Sequence, residues 1–164
     1  DRPGRHQHVS TIYIYDPATA AGGEVSFSAI RRHMEQRLDT SRLFRQRLVR
    51  VPLDLDYPWW IEDPHFELDF HLRHIALPKL GDWRQLCILT ARLLARPLDL
   101  NRPLWEAWVI EGLDNVDGVP PGSFGLVTKI HHAAIDGISG AEIAAAIHSL
   151  TPHDQPEPPP RPCI

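Results

Sequence analysis

Residues 124–137 read FGLVTKIHHAAIDG, from Phe124 to Gly137. The first seven are apolar and β-branched in the proportion of a buried strand. Side chains alternate along a strand. Phe124, Leu126, Ile130 and His132 therefore share one face if the strand runs to its end, and Val127, Lys129 and His131 share the other. The two histidines point in opposite directions, so only one of them need be the working base, with the other in support. His132 ends an apolar row, where burial keeps an imidazole neutral. A neutral imidazole is what a general base needs, and an unperturbed pKa of about 6.5 is already close to working pH. Asp136 follows across a short turn, and Gly137 permits a positive φ or a close backbone approach. Asp136 has two available roles: to bind His132 directly, or to pair with an arginine and hold the turn. The shortness of the turn favours the second. A metal site is disfavoured, because adjacent histidines face apart, H-E-x-x-H is absent and no third ligand is evident.

Outward from this stretch, the chain alternates strands and helices. Residues 9–15 (VSTIYIY) predict a strand stopped by Asp16-Pro17. Phe27, Ile30, Met34 and Leu38 recur at helical spacing and predict an amphipathic helix over 26–38, with Arg31, Arg32, Glu35 and Gln36 outward. Short strands are predicted at 48–51 and 59–62 around a turn at 54–58, and a weaker one at 70–75. Gly81-Asp82 opens a helix over 83–95 with Leu86, Leu89, Leu93 and Leu94 inward, and Pro97 terminates it. A strand at 105–110 and a loop at 115–122 follow. Ser139 and Glu142 have the spacing of a capping box and open a last helix to about residue 150, with Ile143 and Ile147 facing inward. This order predicts an α/β layered architecture.

The bulk numbers narrow the function. The chain has 164 residues, 17 Lys plus Arg against 21 Asp plus Glu, and a formal charge of −4. That balance argues against a general nucleic-acid binder. Cys87 and Cys163 form no disulfide framework and no C-x-x-C, which excludes a zinc ribbon and suits a reducing, cytoplasmic compartment. No apolar run is long enough to cross a bilayer, so any membrane contact is peripheral. The helix over 26–38, continued by Arg42, Arg45 and Arg47, is the nearest candidate for such contact, with a solvated face as the plain alternative. Six of the 16 prolines fall between Pro152 and Pro162. Residues 151–164 therefore read as an extended linker. The other histidines (His6, His8, His33, His65, His71, His74, His148 and His153) are scattered and read as solvated or structural.

A second string, residues 97–106 (PLDLNRPLWE), completes the pattern. HHAAIDG resembles the HHxxxDG signature of the coenzyme A-dependent acyltransferase superfamily. Arg96-Pro97-Leu98-Asp99 and Arg102-Pro103-Leu104-Trp105-Glu106 resemble without a gap the PLDxxRPLWE motif of one branch, the bacterial wax ester synthase/acyl-CoA:diacylglycerol acyltransferase family. The segments 7–17 and 43–48 also resemble that family, so the likeness covers about 7–150. It implies a chloramphenicol-acetyltransferase-like α/β (α+β) half-domain, a mixed sheet with helices packed on it, over 1–150. Residues 151–164 would start the linker to a C-terminal half. It implies transfer of a fatty acyl group from acyl-CoA to the hydroxyl of diacylglycerol or of a long-chain alcohol. His132 would be the general base, His131 its support, Asp136 a structural carboxylate and Gly137 the turn. Pro97, Asp99, Arg102, Trp105 and Arg45 would support the motif or the substrate channel. Arg45 is the preferred partner of Asp136 over Arg47 or Arg102. Asp99 and Arg102 form a local pair, and Trp105 reads as core rather than substrate platform. The implied partners are acyl-CoA, a lipid alcohol and the C-terminal half, with no cofactor, no metal and no nucleic acid. Lipid substrates leave room for contact with the inner membrane face or a lipid droplet. Two competing readings are a condensation-type domain acting on carrier-bound thioesters, which PLDLNRPLWE opposes, and an inactive module that keeps the fold.

Overall fold

The computed structural model describes residues 7–50, 57–135 and 140–149. In chain order the elements are β1 (His8–Tyr15), α1 (Phe27–Arg37), β2 (Gln46–Val49), β3 (Trp59–Glu62), α2 (Leu68–His71), β4 (Leu72–Ala76), α3 (Trp83–Leu94), β5 (Trp105–Glu111), β6 (Phe124–His131), α4 (His132–Ile135) and α5 (Gly140–Ile147). Four strands form one sheet in the order β1-β6-β5-β4, and β2 and β3 form a separate antiparallel pair. In the main sheet β6 is antiparallel to both neighbours, and β4 is parallel to β5. The sheet is thus mixed, with helices packed on it, in keeping with the α/β expectation.

The central strands β5 and β6 are buried almost throughout. Both faces are covered, so these strands read as near-continuous apolar runs. Trp105, Ala107 and Val109 of β5 join Leu126 and Ile130 of β6 in a core with Met34 of α1, Leu38 just after that helix and Ile147 of α5. The alternate positions, Trp108, Ile110 and Val127, pack against Leu86 and Leu93 of α3. The period of two in the strands sends each residue to one layer or the other. β1 lies at the sheet edge, and its Ile12 and Ile14 stay exposed.

Helix starts follow local chemistry. The Ser26 hydroxyl accepts from the Ala29 amide at 3.3 Å, and the Asp82 carboxylate accepts from the Gln85 amide at 2.8 Å, so each N-cap supplies an acceptor to an amide that the helix leaves orphaned. Gly81 has a reason of its own. A Cβ there would lie 2.7 Å from the Gly112 carbonyl oxygen. The turn into α3 therefore needs a residue without a side chain.

Several boundaries differ from the sequence reading. The segment 70–75 is not one strand: a helical turn, α2, precedes β4. The His71 ring is buried between Phe66 and Trp105, and its Nδ1–H donates to the Trp105 carbonyl at 2.7 Å. Ladder pairing begins only at Leu72, opposite Ala107. The strand expected at 48–51 begins earlier, at Gln46, because it pairs with Glu62 and the Asp63 amide bonds the Arg45 carbonyl at 2.9 Å. Arg37, predicted on no particular face, is buried; it donates to the Ala146 and His148 carbonyls at 3.4 and 3.2 Å and to the Ser149 hydroxyl. A cation thus caps the C-terminal carbonyls of α5. Most of the turn at 54–58, the Ser139 end of the capping box, the Ile143 and Glu142 side chains, His6, His153, Cys163 and the proline-rich 151–164 lie outside what the structure describes.

Candidate active site

The two sequence motifs meet at the end of β6. The His131 amide donates to the carbonyl of Leu104, inside RPLWE, at 2.9 Å, and the His132 amide donates to the Gln7 carbonyl at 2.7 Å. The histidine pair is therefore pinned from both sides, by the loop before β5 and by the chain entering β1. Register places His8 directly opposite His131, with the rings edge-to-face at 5.9 Å.

His131 is buried, and its Nδ1 accepts the Ala133 amide at 3.1 Å. An amide can only donate, so in the neutral ring the proton sits on Nε2. Burial, with the neighbouring His132 adding to it, lowers the His131 pKa below the ordinary histidine value. A neutral ring whose Nδ1 is already engaged suits a supporting residue rather than the base.

His132 departs from expectation. The strand stops at His131, and His132 begins the helical turn α4, so the alternation of β6 does not extend to it. It is exposed rather than buried at the end of an apolar row. Its ring is thus within reach of a substrate approaching from outside the sheet.

Beside His131 lies a cavity of about 480 Å³ lined by that residue and by Arg47, Leu48, Leu100, Asn101 and Leu104, among others. Its volume is in the range of small-molecule sites. Arg47 and Arg50, both on its wall, give it a cationic character. Neither Arg50 nor Asn101 stood out in the sequence, since their approach to His131 depends on how β2 sits against the loop at 97–104.

The remaining candidates fall into distinct places. Trp105 is core: it is buried, stacks on His71 at 4.7 Å, and donates its indole N–H to the Phe44 carbonyl at 3.1 Å. Asp99 is mainly a turn-former, accepting from the Asn101 amide at 2.9 Å and from its side-chain Nδ2 at 3.1 Å. Its pairing with Arg102 is loose, at 4.0 Å, and the Arg102 guanidinium lies 4.2 Å from the centre of the Phe70 ring. Pro97 is exposed in the turn after α3. Arg45 pairs with Asp39 at 2.6 Å and sits over Phe66 at 5.4 Å. Asp136 and Gly137 lie outside the described residues.

A buried ion pair escaped the sequence reading. Glu106 and Lys129 face each other across β5 and β6. Lys129 Nζ lies 3.1 Å from Glu106 Oε2 and donates to the carbonyls of Leu93 and Arg96 at 3.2 and 3.0 Å. Arg73 approaches the other Glu106 oxygen at 3.5 Å, and Lys129 Nζ stands 4.9 Å from the centre of the Trp108 ring. Lys129 is fully buried. The pair ties the end of α3, where PLDLNRPLWE begins, to the strand that ends at His131. A lysine within the apolar run of β6 and a glutamate at the matching place in β5, of opposite sign, were the signal available for it.

Among the described residues no cluster of three or more His, Cys, Asp or Glu is placed to hold a metal ion, and no helix is long and apolar enough to cross a membrane.

Comparison with known proteins places this arrangement. Residues 1–163 match the family model for the wax ester synthase/diacylglycerol acyltransferase catalytic domain. A Mycobacterium tuberculosis protein named as a diacylglycerol O-acyltransferase is 38% identical over 99% of this chain and 34% of its own length. A second from that species, tgs1, is 40% identical over 86% of this chain and 29% of its own. Among solved structures, the wax ester synthase/diacylglycerol acyltransferase of Marinobacter aquaeolei VT8 superposes with a TM-score of 0.71 at 28% identity, covering 96% of this chain and 38% of that one. The first condensation domain of the calcium-dependent antibiotic synthetase shares the fold, with a TM-score of 0.59 at 18% identity over 80% of this chain and 29% of that one. The chain spans about a third of the length of the curated relatives it matches. With its PLDLNRPLWE and HHAAIDG segments joined by a main-chain hydrogen bond on the fold of these relatives, the chain belongs to the wax ester synthase/diacylglycerol acyltransferase family.

Proposed function

We propose that this chain is the histidine-bearing half of an O-acyltransferase that moves a fatty acyl group from acyl-CoA to the hydroxyl of diacylglycerol or of a long-chain alcohol. The observation that carries the reading is the exposed His132, held at the end of β6 by the His131–Leu104 and His132–Gln7 main-chain hydrogen bonds. His132 takes the hydroxyl proton as that oxygen attacks the thioester carbonyl carbon. The tetrahedral adduct then collapses, the C–S bond breaks, and the coenzyme A thiolate leaves and receives the proton from the imidazolium. The products are an ester and coenzyme A, and no covalent enzyme intermediate is required. A positioned base contributes about 10²- to 10⁴-fold; placing two long substrates end to end supplies much of the remainder.

His131 supports the base from the wall of the 480 Å³ cavity, whose arginines suit an anionic donor. In this reading Asp136 holds the motif turn through an arginine, with Gly137 allowing the turn. Residues 1–150 form one half-domain, 151–164 lead to a C-terminal half that completes the site, and peripheral contact with lipid brings the acceptor. No cofactor enters the reaction. His132→Ala in the complete polypeptide should lower transfer from acyl-CoA by about 10²-fold or more with folding intact. Near-normal turnover in that variant would overturn the assignment. Offering the same acyl group on a carrier protein, with acyl-CoA as the reference donor, separates this reading from a condensation-type reaction.

A further inference from the structure

The hairpin of β2 and β3 stands apart from the main sheet, and β3 is exposed along its whole length although it reads WWIE. Trp59 is 62% exposed, Trp60 37% and Ile61 40%. Successive side chains on a strand point to opposite faces, so the two tryptophans show on both sides of the hairpin. A flat protein partner covers one face, whereas a fluid interface surrounds both. The register also grades polarity along the hairpin. Val49 lies opposite Trp59 nearest the tip, then Leu48 opposite Trp60, Arg47 opposite Ile61, and Gln46 opposite Glu62 at the base. The connecting residues 51–56 read VPLDLD, and over 42–58 the cations Arg42, Arg45, Arg47 and Arg50 stand against Asp54 and Asp56. Tryptophan, apolar in body with one polar N–H, collects at membrane–water boundaries. Arginine lays its apolar stem along such a boundary and holds its guanidinium among phosphates. Exposed apolar surface rimmed by polar residues marks an interaction site. α1, the candidate for lipid contact read from the sequence, is less suited, because Arg31 on its outer face is held by Glu35 and Asp69 at 3.2 and 2.7 Å.

We propose that the β2–β3 hairpin enters an anionic phospholipid surface tip first and seats the chain there. Trp59, Trp60 and Ile61 supply the apolar area, and Arg47 and Arg50 meet the lipid phosphates. Arg47, Leu48, Val49 and Arg50 also form a wall of the cavity beside His131, so the seated hairpin brings that cavity to the lipid. What the surface delivers there, a lipid alcohol, rests on the acyl-transfer reading; the binding itself does not. Binding of this kind joins apolar burial to charge attraction and weakens as salt screens the arginines.

The test is co-sedimentation of the complete polypeptide with vesicles of phosphatidylcholine and phosphatidylglycerol, at low and at high salt. Trp59 and Ile61 share one face of the hairpin and line neither the main core nor the cavity beside His131. Trp59→Ser combined with Ile61→Ser therefore removes apolar surface and leaves the candidate active site intact. The expected result is vesicle binding that weakens with salt and falls about tenfold or more in the double variant. Should the double variant fail to fold, Trp59→Gln alone replaces it. The difference in emission between the parent and Trp59→Phe reports on Trp59, which should be open to acrylamide without vesicles and shielded with them. Absence of vesicle binding, binding indifferent to salt, or undiminished binding in the double variant overturns the proposal. So does a Trp59 already shielded without vesicles, which would assign the hairpin to the C-terminal half or to a second copy. His132→Ala should lose transfer and still bind vesicles as the parent does, so the seating on lipid and the acyl-transfer reading fail separately.

Discussion

Replacing Lys129 by methionine keeps the length and apolar stem of the side chain and deletes the ammonium. Four interactions disappear: the 3.1 Å contact with Glu106, the hydrogen bonds to the Leu93 and Arg96 carbonyls, and the approach of the ammonium to the Trp108 ring. Glu106 is left buried, with only Arg73 at 3.5 Å to answer its charge. Removing one partner of a buried ion pair costs about 3–5 kcal/mol, because the remaining charge has lost both water and its counter-charge. For a protein of this size each kcal/mol lowers the melting temperature by about 2–4 °C, so the drop should be about 6–20 °C. The assays are thermal and urea unfolding followed by tryptophan fluorescence, since Trp105 and Trp108 lie in the same buried strand as Glu106. Removing both charges, as Glu106→Leu with Lys129→Met, should cost less than the sum of the two single changes, because no charge is stranded. A Lys129→Met variant within about 1 kcal/mol of the parent, or a strictly additive double variant, would refute the reasoning.

Acid should destabilise the fold through His71. Burial holds its folded pKa below the unfolded value of about 6.5, so the unfolded chain binds more protons in that range. Its contribution is fully present above about pH 6.5 and is lost as pH falls below it toward the folded value; His131, shifted the same way, adds to the slope. Urea midpoints measured from pH 8 to 5 should fall, and His71→Phe should make the fall shallower; an identical slope in that variant would remove His71 as the cause. Gly81→Ala should destabilise by about 1–3 kcal/mol, because its new methyl would meet the Gly112 carbonyl at 2.7 Å and backbone does not yield as a side chain would. Unchanged thermal stability would mean that the turn relaxes freely.

Local patterning was enough to find most of the elements. Residues 105–110 and 124–130 are short apolar runs bounded by turn signals, and both are strands. Met34 and Leu38 recur at helical spacing, and both are buried. The 70–75 segment misled because its apolar and polar residues alternate weakly, while the interaction that shapes it, His71 with the Trp105 carbonyl, spans 34 positions. Of the candidate site, the HHAAIDG and PLDLNRPLWE strings were legible as strings. Their contact through His131 and Leu104 was not.

What the chain determined by itself is therefore its periodicity, its caps and its two motifs, because each depends on residues within a turn or two of one another. Tertiary structure decided the rest. The turn from strand to helix at His132 put that ring in the open, against the strand alternation. Sheet register set His8 beside His131 and Glu106 beside Lys129. The packing of α1 against α5 brought Arg37 to the last carbonyls of a helix 109 or more residues away. Long-range pairings of this kind are chosen by the requirement that buried charges and backbone groups find partners, and no window along the sequence contains both members.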